Sequence, residues 1–357
     1  MGWAGAADTV DDSIMNPFND ATYYHSYCNV SNWQDQTQVE LCWLGDPKTI
    51  LMPDLKTEDS NVRSMFGAWI SKIVSDYSID GLRIDSVKNV ETGFWSSFCA
   101  SAGILCFGEV SDGNYAYAYP YMQYIDAITD YPMYYSITRV FQQQTDMSDI
   151  VYNLGLCKDG GCKDTTMAFS FIENHDNARF PAGTSDLALA KNAIAYTMLG
   201  DGVPIVYQGQ ESHLAGGDDP GCREAIWLQK YNTNAELYKH IALLNQIRNS
   251  AMLATPASGY PGYAQYQNWV LTYSSNVIQM RKDPVRTVLS NEGSSVASYT
   301  LTTSGMGFTT GANVVEVLTC NVYVADATGN VALSMGQGRP SVLMSEAQLQ
   351  GTGLCGH

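Results

Sequence analysis

The chain has 357 residues, of which 45% are hydrophobic and 11% aromatic, a composition typical of a globular protein with a large core. Lysine and arginine total 19 against 36 aspartate and glutamate residues, giving a formal net charge of −17. This charge argues against nucleic acids and anionic membranes as partners, because cationic surfaces drive such binding. A neutral partner such as a sugar stays compatible with it. No apolar run approaches the roughly 18 residues of a membrane span.

Residues 1–55 are rich in Asn, Asp, Gly, Ser and Pro and also carry aromatic residues, a pattern typical of a long functional loop region. Cys28 and Cys42 lie in this region without metal-binding spacing, which favours a disulfide. Residues 29–31 form an N-glycosylation sequon. Together they favour an oxidising, secretory compartment. Residues 1–20 do not resemble a signal peptide, so we expect the export signal on a segment that this chain lacks.

From residue 56 onward, predicted helices alternate with predicted strands. The first helix follows Ser60, a candidate N-cap. The remaining predicted elements are strands at 79–85, 104–110, 127–130, 167–176 and 203–207, with helices near 91–101, 135–145, 186–199 and 234–250. Helical connections between apolar strands predict a parallel sheet with right-handed crossovers. After residue 259, short Val/Thr/Tyr runs between turn residues predict a small all-β domain.

The strand at residues 79–85 places Gly81, Arg83 and Asp85 on one face, which we expect to point inward. Buried charges are costly unless they are paired or used, so this arginine and carboxylate need a reason. One explanation is an ion pair that only fixes the strand. The other is a catalytic site, and two further carboxylates at strand ends, Glu109 and Asp176, favour it.

Two carboxylates that face a glycosidic bond are the minimum for glycoside hydrolysis. Arg83 would hold Asp85 ionised, as a nucleophile requires, and the apolar strand before Glu109 would favour its neutral form, as a general acid requires. His175 and Asp176 could bind sugar hydroxyls and stabilise positive charge on the ring. A divalent metal held by three carboxylates is the alternative, although such ligands usually lie closer in sequence.

Three segments then resemble the signature regions of the α-amylase family, glycoside hydrolase family 13. They are Gly81–Lys88, Gly108–Val110 and Phe171–Asn177, and Met52–Leu55 resembles a further short motif of that family. The similarity is closest to the fungal extracellular α-amylases and runs over nearly the whole chain.

The resemblance implies a (β/α)8 TIM barrel with a C-terminal all-β sandwich. Residues 1–55 would be the remnant of a protruding, loop-rich domain, residues 56–258 barrel strands four to eight, and residues 259–357 the sandwich. The segment that should carry the first three βα units, with a substrate histidine and an asparagine calcium ligand, is missing from this chain. We therefore expect the polypeptide alone to be unstable or inactive, because an open barrel exposes strand edges and core.

The resemblance also implies roles for single residues. Asp85 would be the nucleophile, Glu109 the general acid/base and Asp176 the transition-state stabiliser. The residues implied in substrate binding are Arg83, Lys88, His175, Asp219, Arg223, Trp33 and Leu44. Packing alone is the alternative for Trp33 and Leu44.

A structural calcium ion is implied as well, with Asp54 as a side-chain ligand and with Glu40 and Asn89 contributing backbone oxygens. Oxygen-only ligation suits calcium. Cys28–Cys42 and Cys320–Cys355 match family disulfides. Tyr119 replaces a family cysteine, so Cys162 lacks that partner, and Cys157 is near enough in sequence to substitute.

The function predicted from the sequence is hydrolysis of internal α-1,4 bonds in starch- or glycogen-type glucans by a secreted, monomeric enzyme. Asn89 stands where typical α-amylases have a histidine, which keeps a 4-α-glucanotransferase with the same mechanism as an alternative. A non-catalytic glucan-binding remnant is the alternative of another class.

Overall fold

The computed structural model describes residues 3–256 and 261–357, so the predicted domain boundary at 258/259 lies outside the described residues. The chain forms two compact units. The first runs to Ser111 and includes Tyr117–Thr129; the second consists of Asp112–Ala116 and Asp130–His357. Within the described ranges, no helix is both long and apolar enough to cross a membrane.

Residues 3–129 contain four α-helices and five strands. In chain order these are α1 (Gln36–Leu41), β1 (Leu44–Gly45), β2 (Leu51–Met52), α2 (Ser60–Tyr77), β3 (Gly81–Ile84), α3 (Thr92–Ala102), β4 (Leu105–Gly108), α4 (Tyr115–Ala118) and β5 (Ala127–Thr129). Strands β3, β4 and β5 pair in parallel in that order. The parallel β/α arrangement predicted for this region is confirmed.

Helix α2 begins at Ser60, one residue earlier than a Ser60 cap requires. The Asp59 side chain accepts hydrogen bonds from the backbone N–H groups of Asn61 and Val62, so Asp59 is the N-cap and the prediction of Ser60 was wrong. The apolar side of α2 packs on α3, where the Phe66 ring lies 5.5 Å from that of Phe94 in an edge-to-face contact.

Strand β3 is less buried than predicted. Its four residues alternate between exposed and half-buried, and the Asp85 side chain that follows is 76% exposed. The expectation of a buried inward face for Gly81, Arg83 and Asp85 was therefore wrong. In the described part of the chain, Asp85 is an accessible carboxylate, and its placement needs no desolvation.

The loop-rich segment before α2 is held by local contacts. The Cys28–Cys42 disulfide closes it, and strands β1 and β2 pair as a short antiparallel ribbon. His25 bridges two carboxylates, with its Nδ1 2.7 Å from Asp54 Oδ2 and its Nε2 2.9 Å from Glu58 Oε1.

Residues 130–357 contain five α-helices and nine strands among those described. They are α5 (Tyr131–Phe141), α6 (Ser148–Leu156), β6 (Ala168–Phe169), α7 (Leu187–Leu199), α8 (Glu236–Leu253), β7 (Trp269–Tyr273), β8 (Val277–Lys282), β9 (Val285–Ser290), β10 (Tyr299–Thr302), β11 (Asn313–Glu316), β12 (Asn321–Val324), β13 (Ala332–Met335), β14 (Ser341–Ser345) and α9 (Glu346–Leu349).

Three predicted elements of this unit differ from the structure. The strand predicted at 167–176 is limited to β6, Ala168–Phe169, so Asp176 lies in the loop that follows it and not at a strand end. The helix predicted near 135–145 begins at Tyr131, because the Asp130 side chain caps it and Pro132 fits its first turn. The strand predicted at 203–207 is extended chain that the structure does not assign to a sheet. Two hydrogen bonds tie it to Ser170, from Ser170 N to Val203 O and from Ile205 N to Ser170 O, and Pro204 between them lacks an N–H.

The C-terminal all-β domain is confirmed. Six antiparallel strands follow the order β12-β11-β14-β9-β8-β7, and β10 pairs with β13 in a second, two-stranded sheet. A core that includes Val288, Met306, Val314 and Leu333 is fully buried in this domain. Disulfides Cys157–Cys162 and Cys320–Cys355 are both present, which confirms the suggested substitute pairing and the terminal staple.

Candidate active site

One arginine holds two of the predicted catalytic carboxylates. Arg83 Nη1 lies 2.9 Å from Asp85 Oδ1, and Arg83 Nη2 lies 3.4 Å from Glu109 Oε1. Both acids follow directly on the C-terminal ends of neighbouring parallel strands, β3 and β4. The structure thus brings Arg83, Asp85 and Glu109 together around a single guanidinium group, at the strand ends where barrel enzymes carry their sites.

The backbone of Glu109 is fixed from both sides. Its N–H donates to Ile84 O at 2.8 Å, and its carbonyl accepts from Val87 N at 3.0 Å. The close approach of the Val87 loop needs the glycine before Glu109, since a Cβ at Gly108 would lie 2.5 Å from Val87 Cγ2. The Ser86 N–H also lies 3.3 Å from Glu109 Oε2.

The two acids differ sharply in exposure. The Glu109 side chain is 9% exposed, whereas that of Asp85 is 76% exposed. Burial favours the neutral form of a carboxyl group, and a neighbouring guanidinium favours the ionised form. For the exposed Asp85, the Arg83 guanidinium is therefore the main influence, and it favours the ionised form. For Glu109, burial and the guanidinium act in opposite directions.

Lys88 and Trp33 lie beside each other in the first unit. Lys88 Nζ is 5.5 Å from the centroid of the Trp33 ring and donates to Ser111 O at 2.8 Å. Trp33 is 55% exposed, so its ring is accessible. Leu44 lies in strand β1 and is half-buried.

Gln36 is a residue of this region that sequence reasoning missed. Its Nε2 donates to Lys88 O at 3.1 Å and to Glu40 Oε1 at 2.7 Å, and its Oε1 accepts from the Tyr117 hydroxyl. It thereby ties helix α1 to the segment that follows Asp85. A glutamine in a short helix gives no signal of this role in the sequence.

Four predicted residues of the second unit form one cluster. Arg223 Nη2 lies 3.1 Å from Asp176 Oδ1, and Arg223 Nε lies 2.6 Å from Asp219 Oδ1. His175 Nε2 is 3.3 Å from Asp176 Oδ2. All four side chains are between 41% and 50% exposed, so the cluster is open to a ligand.

Two residues orient this cluster without having been predicted. The Asn174 side chain accepts hydrogen bonds from Asp176 N at 3.0 Å and Asn177 N at 2.9 Å, which shapes the turn that presents Asp176. The buried Cys222 thiol donates to His175 O at 3.2 Å, and Arg223 Nε donates to the same carbonyl at 2.9 Å.

A buried ion-pair network accompanies this cluster. The Arg179 side chain is 0% exposed, with Nη1 3.0 Å from Glu173 Oε2 and Nε 2.8 Å from Glu224 Oε2. Its guanidinium also lies 4.6 Å from the centroid of the Tyr207 ring. Burial raises the pKa of Glu173 to about 7, with Arg179 opposing the rise. Glu173 and Glu224 immediately flank the cluster in sequence, so Arg179 links its two segments.

The three predicted calcium ligands, Asp54, Glu40 and Asn89, all lie in the first unit. Asp54 is the one carboxylate ligand, and burial raises its pKa to about 6 although His25 opposes the rise. The Asn89 amide donates to Val39 O at 3.2 Å, which places Asn89 next to the end of helix α1 that carries Glu40. The donors are all oxygens, as calcium prefers, but three of them fill at most half of its six to eight positions. Among the described residues, no group of three His, Cys, Asp or Glu side chains is placed to hold a metal.

Comparison with known proteins gives a consistent result. Residues 10–272 match the family described as alpha amylase, catalytic domain, and residues 270–357 match alpha-amylase, domain C. The chain is 42% identical to Alpha-amylase 2 of Schwanniomyces occidentalis, covering 99% of this chain and 69% of that protein. It is 44% identical to Alpha-amylase 1 of Lipomyces kononenkoae, covering 99% of this chain and 57% of that protein. The structure of an alpha-amylase from Malbranchea cinnamomea superposes with a TM-score of 0.94 at 40% identity, covering 99% of this chain and 74% of that one.

Proposed function

The chain is an enzyme of the α-amylase family, glycoside hydrolase family 13, and we propose that it cleaves internal α-1,4 bonds of starch- and glycogen-type glucans with retention of configuration. The observation that carries this proposal is the shared guanidinium of Arg83, which holds one exposed and one buried carboxylate at neighbouring strand ends. This asymmetry suits a nucleophile and a general acid.

In the proposed cycle, the Asp85 carboxylate attacks the anomeric carbon while Glu109 donates its proton to the departing glycosidic oxygen. A covalent glycosyl ester with Asp85 results. Glu109, now ionised, takes a proton from water, and the hydroxyl group displaces Asp85 from the same face of the sugar that the leaving group occupied. Arg83 stays charged throughout and keeps Asp85 ionised whenever the ester is absent.

We assign the cluster of His175, Asp176, Asp219 and Arg223 to charge stabilisation and substrate binding. Asp176 would stabilise the positive charge that develops on the sugar ring, with His175 donating to sugar hydroxyls. Arg223 neutralises Asp219 and Asp176 in part, which limits repulsion between the two carboxylates.

On the first unit, the exposed Trp33 ring and Lys88 would contact the glucan. An aromatic face packs against the C–H groups of a pyranose ring, and an ammonium donates to its hydroxyls. Leu44, half-buried in β1, would add an apolar contact.

We further propose that Asp54 and the backbone carbonyls of Glu40 and Asn89 contribute ligands to a structural calcium ion, with other ligands completing the shell. The ion would stabilise the loop-rich segment and keep Asp54 ionised against the effect of its burial. Chelation with EGTA should then lower the Tm of the wild-type chain and leave a D54N variant nearly unaffected. Equal Tm values of the wild type with and without EGTA would contradict this assignment.

The three disulfides among the described residues support a further proposal, that the protein works outside the cell or in another oxidising compartment. We also propose that it is a monomer. Size-exclusion chromatography with light scattering tests the oligomeric state. A mass near twice that of the 39.1 kDa chain would contradict it.

The decisive experiment compares D85N and E109Q with the wild type on soluble starch and on a defined maltooligosaccharide. Both variants should lose at least about 10³-fold in kcat, because each removes a group that forms or breaks bonds. D80N is the matched control, since Asp80 is an exposed carboxylate just before strand β3 and should keep wild-type activity. Retained turnover in either variant would refute the assigned roles.

The same assay separates the alternatives. Products longer than the supplied oligosaccharide indicate transfer to a sugar instead of hydrolysis. Starch binding without turnover, unchanged in E109Q, indicates a non-catalytic glucan-binding protein.

A further inference from the structure

The single N-glycosylation sequon of the chain has no part in the proposed mechanism. Asn29-Val30-Ser31 is the only Asn-X-Ser/Thr sequence in the 357 residues. It lies in the loop-rich segment of the first unit, between Cys28 and helix α1. A sequon is an acceptor only where its asparagine is accessible, so the contacts of these three residues decide what the motif can do.

The backbone at Asn29 is fixed by its neighbours in the fold. Cys28, the residue before it, is bonded to Cys42, and the Trp43 N–H donates to Cys28 O at 2.9 Å. Asn29 itself forms an isolated parallel bridge with Trp43. These contacts close a loop that contains α1, and Asn29 lies at the base of that loop.

The Asn29 side chain is exposed and the fold makes no use of it. Among the hydrogen bonds of the described residues, none involves the Asn29 amide group. A large hydrophilic group attached to its Nδ2 would therefore extend into solvent without displacing a contact.

Ser31, in contrast, is held by helix α1. The Ser31 hydroxyl and N–H donate to Gln38 Oε1 at 2.9 Å and 3.0 Å, and the Asn32 N–H donates to the same oxygen at 3.2 Å. The sequon needs the hydroxyl at its third position. Transfer to Asn29 must then precede the packing of this loop on α1, as it does when a chain is modified before it finishes folding.

We propose that Asn29 carries an N-linked glycan. Its amide nitrogen attacks the anomeric carbon of the N-acetylglucosamine at the reducing end of a lipid diphosphate-linked oligosaccharide. A nitrogen–carbon bond forms, and the bond from that carbon to the diphosphate oxygen breaks. The diphosphate leaves with the electron pair and takes up the amide proton, so the transfer needs no oxidant or reductant.

The glycan would lie beside an apolar part of the surface. Tyr27 and Leu41 are both exposed and adjoin the two cysteines of the Cys28–Cys42 disulfide. Neither residue has a part in the proposed substrate binding. A hydrophilic glycan on Asn29 would shield this surface from other molecules, because exposed apolar patches favour association.

This proposal rests on the proposed oxidising compartment, since the lipid-linked donor is used along the secretory route. The test therefore imposes that compartment. The full chain is secreted from a yeast behind a cleavable signal, and its mass is measured before and after treatment with a peptide N-glycosidase. That enzyme removes the glycan and leaves an aspartate at position 29, which peptide mapping locates. The same map, made without reductant, reports the Cys28–Cys42 disulfide separately.

Matched variants assign the modification to Asn29. N29Q and S31A should both lose the glycosidase-sensitive mass, whereas S31T keeps the sequon and should retain it. N19Q is the control, because Asn19 is an exposed asparagine of the same unit outside any sequon. S31A also removes the bond to Gln38, so N29Q remains informative where S31A fails to fold.

A secreted wild-type chain that has the Cys28–Cys42 disulfide but no glycan would overturn the proposal while leaving the compartment intact. A glycosidase-sensitive mass that survives in N29Q would overturn it as well. On heating, N29Q should scatter more light than N19Q at the same concentration. Equal scattering would contradict the shielding of Tyr27 and Leu41.

Discussion

Replacing Arg179 by methionine tests the buried ion-pair network next to the His175–Asp176 cluster. Methionine approximates the length of the arginine stem but removes the guanidinium. Glu173, whose side chain is 2% exposed, would lose the cation that lies 3.0 Å from its carboxylate, and Glu224 would lose the one at 2.8 Å. The cation–π contact with Tyr207 is lost as well.

The burial of this network sets the size of the expected effect. Removing one partner of a buried ion pair leaves an uncompensated charge and costs about 3–5 kcal/mol, whereas an exposed pair contributes about 0–1 kcal/mol. Protonation of Glu173 would reduce this cost, because a neutral carboxyl group needs no cation beside it and the pKa of Glu173 already reaches about 7 with Arg179 present. We therefore expect R179M to lose about 3–5 kcal/mol of unfolding free energy at pH 8 and clearly less at pH 5.

Urea unfolding of R179M and R139M at both pH values provides the measurement. Arg139 is the matched control, since it also pairs with a carboxylate, Asp149, at 2.8 Å but has a 44% exposed side chain. R139M should lose no more than about 1 kcal/mol at either pH. Equal losses in the two variants, or a loss in R179M that does not depend on pH, would refute the reasoning.

Three further outcomes follow from single contacts. Burial raises the pKa of Glu173 from 4.5 to about 7, so its contribution to the free energy of unfolding is complete below pH 4.5 and is lost as the pH rises through about 7. In urea titrations, the E173Q variant should lack about 3 kcal/mol of this pH-dependent loss of unfolding free energy. An unchanged pH profile would contradict this. The C222A variant should lower kcat about fivefold, because it removes one donor to the His175 carbonyl, and C222S should restore kcat. Equal kcat values in C222A and the wild type would show that this hydrogen bond does not contribute to activity. W33A should raise KM for long glucans roughly fivefold with kcat unchanged, the signature of lost ground-state binding, and a fall in kcat alone would argue against a binding role.

Much of the fold could be predicted from periodicity and strand-end chemistry. The strand that leads to Asp85 alternates apolar and polar residues, and the strand that leads to Glu109 is a short apolar run between Gly103 and Gly108, so both positions follow from local pattern. The strand at 203–207 could not be judged this way. Its apolar run is strand-like, but Pro204 removes a donor, and only two hydrogen bonds tie the segment to Ser170.

Burial was harder to predict than position. Alternation in the sequence indicated that Asp85 faces inward, but its side chain is largely exposed, because alternation says which residues share a face and not what covers it.

The helix near 135 was misplaced for another reason. Its capping residue Asp130 was assigned to the preceding strand, although a carboxylate before Tyr-Pro is a strong start signal.

The residues that the sequence could not reveal are those that act through partners distant in the chain. Gln36 binds the Lys88 carbonyl, 52 positions away, and Cys222 binds the His175 carbonyl, 47 positions away. Their residue types carry no signature of these bonds. Only the folded backbone, which brings the carbonyl to the donor, defines the role.

Asp85 and Glu109, both paired with Arg83, are proposed to act as nucleophile and general acid. This mechanism has two displacements with a covalent intermediate between them. Time-resolved proton NMR of fresh maltooligosaccharide hydrolysis tests it directly. The account predicts that the α-anomer of the new reducing end appears first and then mutarotates. Initial release of the β-anomer would mean a single displacement by water and would contradict the assignment of Asp85 as nucleophile.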